Sequence, residues 1–299
     1  MCRLPIEVVN RYTGRVEREQ VYGERWLRWT YESAVGRLAL ACIVRRALFS
    51  RWFGWRMDRR CSRERIGPFV RQYGLDVAEF AEPLESYRSF NEFFYRRLRA
   101  EARPVCAGAG EVAFPADGRH LGVPDLSVAD QFYAKGQRFD LRQLLGDRGL
   151  AERFAGGAMV ISRLCPVDYH RFHFPVAGVA QAPVSIEGAL YSVSPIALRR
   201  RIEYLCENKR ARTLVQNDCL GGVLVLEIGA TCVGSIVHTS AAGPVARGQE
   251  KGYFRFGGSC VITLFERGRV RLAEDLLAAA AGGRELYARV GDCMAVAAK

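Results

Sequence analysis

Apolar and polar positions fall into two patterns along the 299-residue chain. From about residue 25 to 100, apolar residues recur at helix-compatible spacing, as in "RWLRWTYESAVGRLALACIVRRALFSRWFGWRMDRR", with arginines between them. "ESYRSFNEFFYRRL" then predicts a helix capped by Ser89 or Asn91. After about residue 105, Gly and Pro punctuate short β-branched runs, among them "GAMVISRL", "GGVLVLEIGATCVGSIVHT" and "GSCVITLF". "RFDLRQLLGD" predicts a short helix ending near Gly146, and "AEDLLAAAAGGRELYARVGD" predicts alanine-rich turns. The expectation is an α+β protein, with a helical region over 1–100 and a β-rich catalytic body over 101–299.

One strand signal is broken in the middle. In "KGYFRFGGSCVITLF", Phe254, Phe256, Val261, Thr263 and Phe265 suit a pleated strand, but Gly257-Gly258-Ser259-Cys260 interrupts it. Glycines inside a strand mark a bulge, a bend or a close backbone approach.

Charge changes the picture of the helical part. The net charge is +12, and residues 25–71 hold 12 arginines against Glu32, Asp58 and Glu64. Such a segment attracts polyanions, either nucleic acid or an anionic membrane surface. All four tryptophans (Trp26, Trp29, Trp52 and Trp55) lie there too. Trp with Arg on amphipathic helices is the composition of an interfacial membrane binder, while a packed helical core would use the same residues. The longest apolar run, Leu38 to Val44, spans 7 residues, against the roughly 20 that a bilayer crossing needs.

The 10 cysteines contain no CxxC pair, and several sit in apolar company, such as Cys42 in "LALACIV" and Cys232 in "GATCVGSI". They read as buried small hydrophobes. With no hydrophobic signal core at the N-terminus, a reducing compartment is expected.

The candidate chemistry is sparse. Of four histidines, His170 and His173 stand three apart in "CPVDYHRFHFPVAG". Pro166 and Pro175 argue against the regular helix a metal pair would use, and no Cys or His follows at zinc spacing, so no metal is expected. Asp117 sits in an Asp-Gly turn in "FPADGRHLG", where a plain turn role is common. An aspartate, a histidine and a glycine-flanked serine together fit the template in which carboxylate orients imidazole and imidazole activates hydroxyl. A serine hydrolase is one reading, although Ser259 lacks a G-x-S-x-G elbow. Attack of Ser259 on the carbonyl of Gly258 is the other. It converts peptide to ester, and elimination and hydrolysis then leave a pyruvoyl group. Its ketone is an electron sink for a substrate amine held as a Schiff base.

At these residues the chain resembles the phosphatidylserine decarboxylases, in the prokaryotic branch with a G-G-S-T cleavage site. The resemblance rests on "VNRYTGRVE", "SFNEFFYRRL", "FPADGRHLG", "KGQRFDLRQLLGD", "CPVDYHRFHFPVAG", "ENKR", "EIGATCVGSI" and "EKGYFRFGGSCVITLF". It implies self-cleavage between Gly258 and Ser259, giving a chain of 1–258 and a pyruvoyl-headed chain of 259–299. It implies that Asp117 orients His173, that His173 deprotonates Ser259, and that His170 serves the later decarboxylation steps. It further implies phosphatidylserine as substrate, phosphatidylethanolamine as product, and peripheral attachment at the cytoplasmic side of the cell membrane. The expected partners are an anionic membrane and the chain's own two fragments, with no nucleic acid and with homo-oligomerisation left open. Cys260 stands where the family has threonine, and an inactive membrane-binding homologue is the reading that this departure would favour.

Overall fold

The computed structural model describes residues 5–127, 140–231, 236–257 and 259–298. Within them an eleven-stranded sheet runs through the molecule. At its centre Ser259–Phe265 lies between Gly221–Gly229 and Met159–Leu164, antiparallel to both. Every residue of Ser259–Phe265 and of Met159–Leu164 is buried. Side chains alternate across a strand, so the central strand feeds two cores. Cys260, Ile262 and Leu264 join Leu224, Leu226 and Ile228 in one apolar cluster. Val261 joins Val225, Leu164, Phe172 and Phe254 on the opposite face.

That second face is covered by a three-stranded sheet of Ile236–His238, Glu250–Phe254 and Arg171–His173. The broken strand signal now has a physical cause. Glu250–Phe254 belongs to the small sheet and Ser259–Phe265 to the large one, and Gly257 lies where the chain crosses between them. Gly257 has φ +134°, a conformation that strains any residue with a Cβ.

The helices begin at Glu24–Glu32 and include Ala47–Asp58, Ile66–Tyr73 and Phe90–Phe94. The expected helical region thus starts late, because Glu7–Asn10 pairs in parallel with Glu285–Ala288 and belongs to the large sheet. The expected alanine-rich turns are a helix, Glu274–Ala281, followed by that strand. "RFDLRQLLGD" behaves as its capping residues dictate over its described part. Asp140 accepts from Arg142 N and Gln143 N, and Gly146 ends the helix at φ +61°.

The helical region packs on the crossing segment. Phe69, Phe90, Phe93 and Phe94 form a cluster with Phe256, whose ring centroid lies 4.8 Å from that of Phe94 and 5.3 Å from that of Phe90. Its outer side stays apolar: Trp26, Trp29, Trp52 and Trp55 are 41–55% exposed, and Leu38 and Leu48 reach 65% and 76%. Among the described residues no helix is long and apolar enough to cross a membrane. Cys42, expected inside, is exposed on this same surface, because an apolar run in a helix reads alike whichever face it turns outward; Cys165, Cys206 and Cys260 are buried. Cys232 lies outside the described residues.

Candidate active site

Ser259 opens the central strand with its side chain wholly buried. Its hydroxyl lies 3.3 Å from Nδ1 of His170. The other ring nitrogen of His170, Nε2, lies 3.0 Å from the carbonyl of Cys165. A carbonyl only accepts, so Nε2 carries the proton and Nδ1 offers a lone pair to Ser259. Phe94 stacks on the imidazole with ring centroids 3.8 Å apart. Burial, with the Arg96 charge adding to it, pushes the pKa of His170 down to about 3, which keeps the ring neutral.

The turn before His170 is held at both ends. Cys165 N donates to Asp168 Oδ2 at 2.6 Å, and Arg119 pairs with the same carboxylate. Arg96 donates through Nη2 to the carbonyls of Val167 and Asp168 at 3.3 and 3.4 Å. Its guanidinium lies over the rings of Phe80 and Phe93, and burial lowers its pKa to about 10.

"SFNEFF" reaches the site from the helical side. Ser89 is the cap, accepting from Glu92 N at 3.2 Å, which leaves Asn91 free for another task. Asn91 Oδ1 accepts from Phe256 N at 2.9 Å, and its amide donates to Asp58 Oδ1 at 2.7 Å. The backbone one residue ahead of Gly257 is thereby fixed. Asn91, Phe94, Arg96 and Asp168 escaped the sequence reading as site residues, although all four lie inside motifs it quoted. Their hydrogen-bonding or aromatic side chains beside the predicted catalytic groups were the available signal.

Asp117 and His173 stand apart from the Ser259–His170 contact. Arg103 grips both oxygens of Asp117 at 2.7–3.0 Å, and Val290 N donates to Oδ1 at 2.8 Å. Among the described residues Nδ1 of His173 is buried without a partner. Burial lowers its pKa to about 4, against the pull of Glu250 and Asp117. Gly258, the expected carbonyl side of the scissile bond, lies outside the described residues. His120 is structural, its Nδ1 2.9 Å from Ser162 Oγ and its Nε2 3.2 Å from the carbonyl of Ala288. Among the described residues no cluster of three or more metal-ligating side chains occurs.

Cys260 points away from this chemistry. Strand alternation sends its thiol into the apolar cluster with Ile228 and Leu226, and burial raises its pKa so that it stays protonated. Two cavities flank Phe256. One, of about 370 Å³, is lined by Trp26, Trp52, Phe53, Leu164, Phe256 and Gly257. The other, of about 640 Å³, contains Asn91, Lys209, His238, Arg255 and Phe256. An apolar chamber and one of mixed polar and apolar lining thus meet at the crossing segment, a division suited to an amphipathic ligand.

Residues 90–282 match the family model described as phosphatidylserine decarboxylase. Similar proteins named phosphatidylserine decarboxylase proenzyme occur in Chlamydia trachomatis, at 42% identity over 96% of this chain and 95% of the relative. Others occur in Desulfitobacterium hafniense, at 38% identity over 97% of this chain and 98% of the relative. A third, in Fusobacterium nucleatum, is 40% identical over 91% of each chain.

Proposed function

Since the chain belongs to the phosphatidylserine decarboxylase family, we propose that it is made as a proenzyme, cleaves itself before Ser259 and decarboxylates phosphatidylserine to phosphatidylethanolamine. The observation that carries this reading is the 3.3 Å approach of Ser259 Oγ to the unprotonated nitrogen of His170, two residues after the positive-φ Gly257. His170 takes the hydroxyl proton as Ser259 attacks the preceding carbonyl, and the amide becomes an ester. Elimination gives dehydroalanine and frees the carboxylate of the long chain. Water then releases ammonia and leaves pyruvoyl at the head of residues 259–299.

The site's residues fit that group. Ser259 is fixed by its strand, Gly257 takes a positive φ two residues before it, and His170 stands at hydrogen-bond reach. When formed, the pyruvoyl ketone supplies an electron sink for loss of CO2 from an amine substrate. The chain's own contribution is to stack Phe94 on the ring of His170 and against Phe256, and to hold a neutral imidazole where a proton has to be moved. A pKa near 3 makes His170 a weak base, which is tolerable for a step that each molecule performs once.

A second assignment of the base is favoured by a specific observation, the unpartnered buried Nδ1 of His173. In it His173, with Asp117 nearby in charge, takes the proton, and His170 serves decarboxylation. Purified H170A and H173A, followed by gel for conversion to two chains, separate the two. If His170 is the base, H170A stays whole and H173A is processed; the reverse result assigns the step to His173. S259A is to show neither cleavage nor CO2 release from carboxyl-labelled phosphatidylserine, and CO2 release by S259A would overturn the proposed function.

The exposed Trp and Leu surface and its arginines support peripheral docking on an anionic membrane, with roughly 1 kcal/mol per arginine near the surface. The apolar cavity beneath Trp26 and Trp52 then takes the acyl part of the lipid.

A further inference from the structure

A buried ion pair lies on the same sheet face as Ser259 and takes no part in the chemistry described above. Glu227 is wholly buried in the strand Gly221–Gly229, within an otherwise apolar run. Its register partner is Val261, and that of Ser259 is Gly229. Glu227 and Ser259 therefore share a face, displaced by two residues, or about 7 Å along the strand.

Two groups from the covering sheet meet this carboxylate. Lys251 Nζ donates to Oε1 at 2.7 Å. It is 1% exposed and lies 5.6 and 5.9 Å from the ring centroids of Phe172 and Phe174. His238 Nε2 lies 3.0 Å from Oε2. A carboxylate beside an ammonium only accepts, so Nε2 of His238 carries the proton. Each oxygen of Glu227 thus accepts from a different side chain. Nδ1 is then an acceptor, with no partner among the described residues, on a side chain that lines the 640 Å³ cavity beside Phe256. The other charged groups lining that cavity are Asp58, Glu187, Lys209, Arg210 and Arg255. Arg210 is occupied by the carbonyls of Leu144, Asn208 and Gln143. Lys209 pairs with Glu187 at 3.0 Å, and Arg255 lies 3.6 Å from Asp58 with its Nε buried and without a partner among the described residues.

We infer that Glu227, anchored by Lys251, orients His238 so that Nδ1 faces the chamber as an acceptor for the substrate's ammonium. This rests on the decarboxylase reading and names the chamber for the headgroup and a residue that selects for an amine. Lys251 is thus a positioning residue: by holding Oε1 of Glu227 it leaves Oε2 to fix the ring of His238.

With four histidines in the chain, two-bond proton–nitrogen spectra of the self-processed, histidine-labelled protein can resolve each ring, and H238Q identifies the signal. The expected signal is that of a ring with its proton on Nε2, the nitrogen facing Glu227. Its Nδ1 resonance is to shift with dihexanoyl phosphatidylserine and stay put with dihexanoyl phosphatidylglycerol; no shift with either lipid, or equal shifts with both, overturns the inference. In K251M, with Oε1 of Glu227 released, KM for dihexanoyl phosphatidylserine is to rise about tenfold, as loss of a hydrogen bond to a charged group implies. E227Q/K251M, whose amide oxygen can still accept from His238 and whose buried charges are removed together, is to bring KM back to within about twofold of wild type. A double variant no better than K251M contradicts the mechanism. Where K251M does not process, H238Q decides alone, and an unchanged KM overturns the inference. A wild-type chain that neither cleaves nor decarboxylates would instead sink the parent reading.

Discussion

Lowering the pH from 7 to 5 is expected to remove a large part of the protein's stability through three histidines. His120 and His170 are buried with pKa values pushed down to about 3, and His173 to about 4. Each returns to about 6.5 in the unfolded chain. A depressed histidine pKa means that the unfolded state binds the extra proton, so its contribution is present above pH 6.5 and is lost as the pH falls toward the folded value. At about 1.4 kcal/mol per pH unit, each histidine removes about 2 kcal/mol by pH 5, or roughly 6 for the three. Typical domains are stable by about 5–15 kcal/mol. Asp168 works in the opposite sense, because burial raises its carboxyl pKa. The assay is urea unfolding of S259A, which keeps the chain in one piece, at pH 7, 6 and 5. H173Q in that background is to shrink the pH 7-to-5 loss by about 2 kcal/mol, a difference in which Asp168 cancels. Stability flat within about 1 kcal/mol across this range, with no change in slope for H173Q, would refute the claim that these rings are held neutral.

The remaining expectations concern the site's supports. C260T is to cleave at the same bond and at a rate within about threefold of wild type, because position 260 faces the apolar cluster; stability should fall by about 1–3 kcal/mol as a hydroxyl is buried there, measured by urea unfolding. N91A removes the acceptor of Phe256 N and is to slow self-cleavage at least about tenfold, the unsatisfied amide being worth about 1–3 kcal/mol; an unchanged half-time by gel contradicts the role given to Asn91. W29S/L38S/L48S, all on the exposed helical surface, is to lower flotation with phosphatidylserine-containing vesicles at least about tenfold while leaving self-cleavage intact. Equal flotation by variant and wild type would remove that surface from membrane docking.

Much of the site was legible because its residues break local rules. The two glycines and Ser259 interrupt a good strand, and the interruption is where the chain changes sheets. Asp117 and the His170–His173 pair stood out as polar groups in apolar company. Which histidine meets Ser259 was not legible, since spacing within an extended segment says nothing of what packs on either ring. That choice depends on the Cys165 carbonyl and on Phe94, the latter 76 residues away in the chain. The orientation of the apolar run at Cys42 was hidden for a related reason. A helix with arginines throughout offers no single polar face to mark the outside. Glu227 did leave a trace, as the one acid in "GGVLVLEIGATC", but its partners come from another sheet.

The central claim is self-cleavage at Ser259, and intact mass spectrometry of the purified wild-type protein tests it most directly. The account predicts two species, a long chain ending at Gly258 and a 41-residue chain of 259–299. The short chain should be lighter by one ammonia than a serine-headed peptide, and should gain the mass of two hydrogens on borohydride reduction. A single uncut 33.4 kDa species, or a short chain that begins with intact serine, would contradict it.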